Sequence, residues 1–314
     1  MNKALITRRL AIAAAASLMS LAVAAQEIKL GFNGDLSASP SAQSGSAGVL
    51  GIQAAIDEIN GAGGINGRKL TLVVRDDQSQ PPKSIQNMSD LIDNEKVVAV
   101  FGPTNSGNAM AWKHIPNQKK VVSMGMIGGG TDITKPVSPT ADNYMFRVSM
   151  VDREQVAGVV AYAKKAGYKK LGILAETTGY GAGGLKDAQE IAKLHGIEPA
   201  AIERFAVADT DMTSQLNKMK AAGVDGVIVW AQGTPTAQLM RSMEKVDYFP
   251  AVLSSWAADN VTFLEAIDRN KALGRVAPSH RLLAPLSPGP YSYRSLPEAS
   301  SNRRSNQRCG LKAL

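Results

Sequence analysis

Residues that could do chemistry gather in four short segments, 33–48, 102–108, 125–131 and 176–184, each rich in Gly, Ser, Thr or Asn. The first contains Gly34-Asp35-Leu36-Ser37-Ala38-Ser39-Pro40-Ser41 and continues through Ser44 and Gly45. The second reads Gly102-Pro103-Thr104-Asn105-Ser106-Gly107-Asn108 and leads into a helical pattern. Hydroxyls, amides and backbone N–H groups at a helix start hold a carboxylate by hydrogen bonds and the helix dipole, with no bond made or broken. Capping alone explains one such segment, because Ser, Thr, Asn and Asp are the usual caps. Four of them point to a polar binding cleft.

Groups for covalent or acid–base chemistry are scarce. No G-x-S-x-G elbow, H-E-x-x-H pair or P-loop occurs. The three His (His114, His195, His280) are far apart, and the single Cys309 excludes a disulfide framework and any multi-cysteine metal site. Asp76 and Asp77 are adjacent at a strand end, so they are expected to point to opposite faces and not to share a proton. Residues 179–184 form a G-x-G-x-x-G, with Glu203 about 20 residues further on as a dinucleotide site requires. Three residues separate that motif from the expected strand, however, whereas the dinucleotide fingerprint opens directly after it. No cofactor, no metal and no catalytic residue are expected.

These segments must be positioned by regular elements, and the chain supplies an alternation of them. Short β-branched runs at 28–32, 69–75, 97–101, 121–124 and 144–148 are separated by helical patterns at 49–59, 83–93 and 107–118. Val49, Ile52, Ile56 and Ile59, for example, recur at spacings of three and four that place them on one face. The pattern breaks over 126–143 and restarts: helix 153–166, strand 170–175, helix 182–194, strand 201–207, helix 212–222, strand 226–230, helix 235–245, strand 249–253 and helix 259–268. Strands alternating with long helices imply right-handed crossovers and parallel sheets. The expected fold is α/β, with two doubly wound parallel-sheet lobes at 27–147 and 148–270 joined by a hinge. In such sheets ligands bind outside the C-terminal strand ends, where all four segments fall.

The net charge of +8 suggests a nucleic-acid or membrane partner until it is located. Residues 1–26 carry three bases and no acid, and 271–314 carry eight bases and one acid. The body between them has 24 bases against 26 acids, so no nucleic-acid partner is expected. Arg8-Arg9, the apolar run 10–22 and Ala22-Val23-Ala24-Ala25 read as a secretory signal peptide cleaved near Gln26. The run is too short to cross a bilayer. Beyond residue 270 periodicity is lost among Pro, Ser and Arg. Two readings of this tail stay open: a natural basic, disordered arm for an acidic partner, or a reading frame shifted near residue 270, which would leave a truncated chain.

Ala55-Ile56-Asp57-Glu58-Ile59-Asn60, the glycine-rich stretch from Gly61 to Leu70, and Asp76-Asp77-Gln78-Ser79 together resemble the type I periplasmic solute-binding proteins, in particular the leucine/isoleucine/valine branch that feeds ABC importers. Phe101-Gly102-Pro103, Phe146-Arg147-Val148, Gly179-Tyr180-Gly181 and Asp209-Thr210-Asp211-Met212 follow in matching order, and the likeness covers 27–268. The resemblance implies a monomeric periplasmic receptor without catalysis that closes two lobes over a small molecule, an amino acid or organic carboxylate, and delivers it to a membrane permease. It places Asn105 and Ser106 at the ligand carboxylate, Gly129 and Thr131 at the head group, and Tyr180 over the ligand from the second lobe. Amino-acid binders of this kind carry an acidic residue after the last second-lobe strand. Here Trp256 stands there, an indole wall with one donor and no negative charge. A ligand-sensing module of a signalling system is the alternative, and an α/β enzyme that has lost its catalytic segment is a third.

Overall fold

The computed structural model describes residues 27–136, 138–267 and 276–278. The leader expected over 1–26 and, apart from 276–278, the basic tail lie outside the described residues.

Two all-parallel five-stranded sheets are present. β1 (Ile28–Gly34), β2 (Leu70–Asp76), β3 (Ala99–Phe101), β4 (Val122–Gly125) and β5 (Met145–Arg147) form the first, in the order β2-β1-β3-β4-β5. β6 (Leu171–Glu176), β7 (Ala201–Phe205), β8 (Gly226–Trp230), β9 (Ala251–Ser254) and β10 (Val276–Pro278) form the second, in the order β10-β9-β8-β6-β7. Read from its other edge, the second order repeats the first, so each sheet reverses direction beside its opening strand. Such a reversal opens a crevice at the carboxyl ends of the strands.

Helices cover both faces of each sheet. In the first lobe α1 (Ala42–Gly61) buries Ile52 and Ile56 with Phe32 and Leu70 on one side. On the other, Met88 and Leu91 of α2 (Pro81–Asp93) pack with Val100, Trp112 and Met145. In the second lobe α5 (Asp152–Ala166) and α6 (Gly179–Leu194) bring Val156, Val159, Val160, Ala188 and Ile191 against Ile173, Ile228 and Trp230. Opposite them α7 (Thr213–Ala221) and α8 (Gly233–Lys245) set Leu216, Met219, Leu239, Met240 and Met243 against Val227, Val229 and Val252. Burial on both faces explains why β6 and β8 are enclosed at every position and read as apolar runs, β6 up to its last residue Glu176. Among the described residues the chain passes from one lobe to the other once, at 148–151. No described helix is long and apolar enough to cross a membrane.

Three expectations change. The single helix at 107–118 is two, α3 (Ser106–Trp112) and α4 (His114–Lys119), because Pro116 has no N–H to continue the ladder. The helix expected at 259–268 is a 3-10 turn (Trp256–Asp259) followed by α9 (Val261–Ile267). The glycine motif at 179–184 is not a loop before a helix at 182; it is the first turns of α6. Its glycines serve close packing: a Cβ would lie 2.6 Å from Gly107 Cα at Gly179, 2.0 Å from the Glu176 carbonyl oxygen at Gly181 and 1.9 Å from the Trp230 ring at Gly184.

Gly183 faces open space in the same helix. Gly184→Ala is therefore expected to cost about 2 kcal/mol by overpacking. Gly183→Ala should instead stabilise by about 0.5–1 kcal/mol through helix propensity. Urea denaturation of the two variants checks the contrast.

Candidate functional site

The Ser-rich segment after β1 is folded around one carboxylate. Asp35 is fully buried. Its Oδ1 accepts from the Ser37 and Ala38 N–H groups, and its Oδ2 from Ser39 N–H and the hydroxyls of Ser39, Ser41 and Ser79. Burial alone would raise this carboxyl, but the bonds from Ser39, Ala38, Ser37 and Ser41 outweigh it and hold the group below its ordinary range. The serines that suggested a binding loop thus first of all satisfy Asp35.

Asp76 and Asp77 join the same cluster. Oxygens of Asp35, Asp76 and Asp77 lie within 4.8 Å of one another, which corrects the expectation that the two neighbours must diverge. The alternation of faces holds only within a strand, and Asp77 lies one residue beyond β2. The oxygens carry protein donors: Leu36 and Gln78 N–H and the Ser37 hydroxyl on Asp76, and Ser79 N–H, the Ser84 hydroxyl and Asn108 Nδ2 on Asp77. Burial dominates at Asp77, which is raised. The cluster braces the first strand ends.

In front of these braces, about 460 Å³ of space lies between the lobes. Its walls come from residues that follow strands: Ser41 and Ser44 after β1, Thr104, Asn105 and Ser106 after β3, Ile127 to Gly129 after β4, Tyr180 after β6, Gln232 and Gly233 after β8, and Trp256 with Asn260 after β9. Among the described residues no Asp, Glu, Lys, Arg or His lines it. The N-terminal, partially positive ends of α1, α6 and α8 open onto it instead.

Each wall is positioned from behind. Asn105 caps α3 by accepting from Asn108 N–H at 2.9 Å and donates to the Ser79 hydroxyl. The Ser106 hydroxyl accepts from Gly130 N–H at 3.0 Å. Arg147 donates to the Gly129 and Gly130 carbonyls and Ser149 to that of Gly128, which turns all three away from the cleft. In the second lobe the Tyr180 hydroxyl donates to Ser255 at 2.7 Å, and its ring lies 6.1 Å from that of Trp230. Gln232 is held through its backbone and side-chain N–H groups by Glu176, leaving its buried Oε1 without a partner among the described residues. Burial raises Glu176 despite those bonds.

Of the six residues assigned from the resemblance, Asn105, Ser106, Gly129, Tyr180 and Trp256 line this one cleft. Thr131 does not. Its hydroxyl donates to Asp187 at 2.5 Å and accepts from Arg153 N–H at 3.0 Å, so it ties the first lobe to α5 and α6. Lys186 and Asp132 bridge the lobes beside it at 3.5 Å. The sequence reading missed Gln232 and Asn260. The signal for Gln232 was available, because it follows β8 as Thr104 follows β3, but Gly233 and Pro235 suggested a later helix start.

Two parallel-sheet lobes with one cleft between their strand ends have the architecture of a two-lobed binding protein. Residues 27–278 match the family model described as periplasmic binding protein, and the chain belongs to that family. An amino acid binding protein of Pseudomonas aeruginosa is 28% identical over 252 residues, 78% of this chain, and the chain spans 65% of that relative's length. Among solved structures, a type 1 periplasmic binding protein from Bordetella pertussis is 26% identical with a TM-score of 0.70, covering 77% of this chain and 66% of that one. The branched-chain amino acid transporter substrate binding protein LivJ of Streptococcus pneumoniae, in complex with isoleucine, is 26% identical with a TM-score of 0.67, covering 77% and 68%.

Thr131→Val should lower stability by about 1–2 kcal/mol through loss of two hydrogen bonds, as calorimetric melting of the ligand-free protein would show. A second outcome concerns Asp152, which burial pushes up to about 7 against the partial offset of Trp230; Asp187 raises it further and Arg147 lowers it. Between pH about 4 and 7 the folded chain holds this proton and the unfolded chain does not, so the group's contribution to stability falls as pH rises through that window. Asp152→Asn should therefore be more stabilising, relative to the parent, at pH 8 than at pH 5.

Proposed function

We propose that the chain is the extracytoplasmic solute-capturing subunit of an ABC importer, with 27–147 and 148–270 as its two jaws. It would be a monomer, exported by its leader to the periplasm, without cofactor, catalysis or nucleic-acid partner, and read by a membrane permease when closed. The observation that carries this is the cleft itself: both lobes contribute strand-end residues to one space, and the lobes meet across it. Closure over a ligand would shift an open–closed equilibrium that a partner can sense.

The ligand class follows from the walls. Asn105 and Ser106 on the first lobe and the starts of α1, α6 and α8 favour a carboxylate. Tyr180 and Trp256 offer flat apolar surfaces, and among the described residues no lining carboxylate waits for an ammonium group. The site suits a branched-chain amino acid or a related small carboxylate or amide, with the balance towards a carboxylate on an aliphatic or aromatic body. Names of relatives support the same class: the Pseudomonas protein is named for amino acids and LivJ was solved with isoleucine.

Titration calorimetry with L-isoleucine and with benzoate tests the assignment. At least one is expected to bind with one-to-one stoichiometry, and Trp256→Ala should weaken it tenfold or more, about 1.4 kcal/mol. Binding of neither, by a protein that melts cooperatively, would overturn the ligand class.

A further inference from the structure

One buried carboxyl stands behind the cleft without lining it. Asp152 opens α5, directly after the crossing between the lobes, and is completely enclosed. Its Oδ2 has no hydrogen-bond partner among the described residues. Its backbone N–H donates to the Gly129 carbonyl at 2.8 Å, and a Cβ on Gly129 would lie 2.2 Å from its Oδ1. The same Oδ1 accepts from Gln155 Nε2 at 3.3 Å, and Gln155 Oε1 accepts from Trp256 N–H at 3.2 Å. Asp152 therefore touches the first-lobe wall directly and the second-lobe wall through one intermediate.

Beyond the start of α5 itself, few groups around it favour a charge. The Trp230 indole N–H on β8 faces the carboxyl but completes no hydrogen bond. Arg147, at the end of β5, attracts it from a distance while its own donors are engaged by Gly129, Gly130 and Thr134. From α6, Asp187 opposes ionisation, and Tyr180 offers a hydroxyl already donated to Ser255. An ionised Asp152 here would keep one oxygen buried with no completed hydrogen bond, only the Trp230 N–H facing the group, which is costly. Parting the walls at Gly129 and Trp256 would let water reach it.

We propose that closing the cleft takes up one proton from solvent at Asp152, the closed form holding the neutral acid and the open form releasing it. The proposal rests on the reading of the cleft as one that captures a ligand by closure. Proton uptake and closure are then linked, so closure is favoured at pH 6 over pH 8, and affinity for any ligand of constant charge follows it. An exported receptor with this coupling grips harder in acidic surroundings and loosens in alkaline ones.

The test reads closure itself and needs no ligand. Asp132 and Lys186 face each other across the lobes with side chains 41% and 61% exposed. Spin labels at Asp132→Cys and Lys186→Cys, in a Cys309→Ser background, report the closed fraction by pulsed dipolar spectroscopy. Between pH 6 and pH 8 that fraction should fall several-fold in the parent and stay at its low-pH level in Asp152→Asn. Gln155→Leu removes a donor that favours the ionised carboxylate, so the midpoint should move to higher pH. A flat parent profile, a pH response that survives in Asp152→Asn, or an unmoved midpoint in Gln155→Leu overturns the proposal. Because no solute is added, failure of the ligand assignment leaves this result standing.

Discussion

The geometry of the cleft depends on how near two backbones can come at Gly107 and Gly179. These residues lie at the starts of α3 and α6, on opposite lobes, and a single Cβ on Gly179 would fall 2.6 Å from Gly107 Cα. With both side chains absent, the helix starts touch and the walls carrying Ser106 and Tyr180 face each other at ligand distance. A methyl group at this point would hold the lobes apart, and Thr131 with Asp187 and Lys186 with Asp132 would lose contact together. The glycine motif at 179–184 brings polypeptide close to a helix start.

Two aspartates show how differently the fold treats one residue type. Asp35 and Asp152 are both fully buried and both stand behind the cleft walls without lining them. Asp35 is ringed by hydroxyls and N–H groups and is held below its ordinary range, so its charge organises the loop after β1. Asp152 has one weak side-chain bond and an orphan oxygen, and burial carries it up to about 7. The serine-rich loop after β1 surrounds Asp35 with hydroxyl and N–H donors, while Asp152, although it opens a helix, receives only the long bond from Gln155. Charge is thus held in place on Asp35 beside the first strand ends, while burial pushes Asp152 behind the Gly129 wall towards its neutral form.

Much of the fold was legible because its cause is local. Unbroken apolar runs such as Gly226–Trp230 mark strands covered on both faces, and three-and-four spacings such as Val156, Val159 and Val160 mark the helices that cover them. Five of the assigned cleft residues were found through a family resemblance, since Ser106 or Gly129 has nothing in its own chemistry that distinguishes a wall from a cap. What stayed hidden depends on contacts between distant segments. The contact of Thr131 with the second lobe could not be read without knowing that Asp187 comes within 2.5 Å of it, 56 residues later. The meeting of Asp76 and Asp77 at Asp35 likewise required the end of β2, which periodicity leaves uncertain by a residue.

The repeated strand order has a consequence for selectivity. Each lobe presents the same socket, a crevice beside its opening strand, and the two sockets are turned to face one another. Backbone alone therefore offers a solute two nearly equivalent ends and no reason to prefer one orientation. Polarity must come from what the strand ends carry: hydroxyls and an amide at Ser41, Ser44, Ser106 and Asn105 on one side, the only aromatic rings, at Tyr180 and Trp256, beside the amides of Gln232 and Asn260 on the other, among the described residues. A molecule with a hydrophilic head and a greasy tail breaks that tie and settles in a single sense, whereas one alike at both ends would be left rocking between two docking modes.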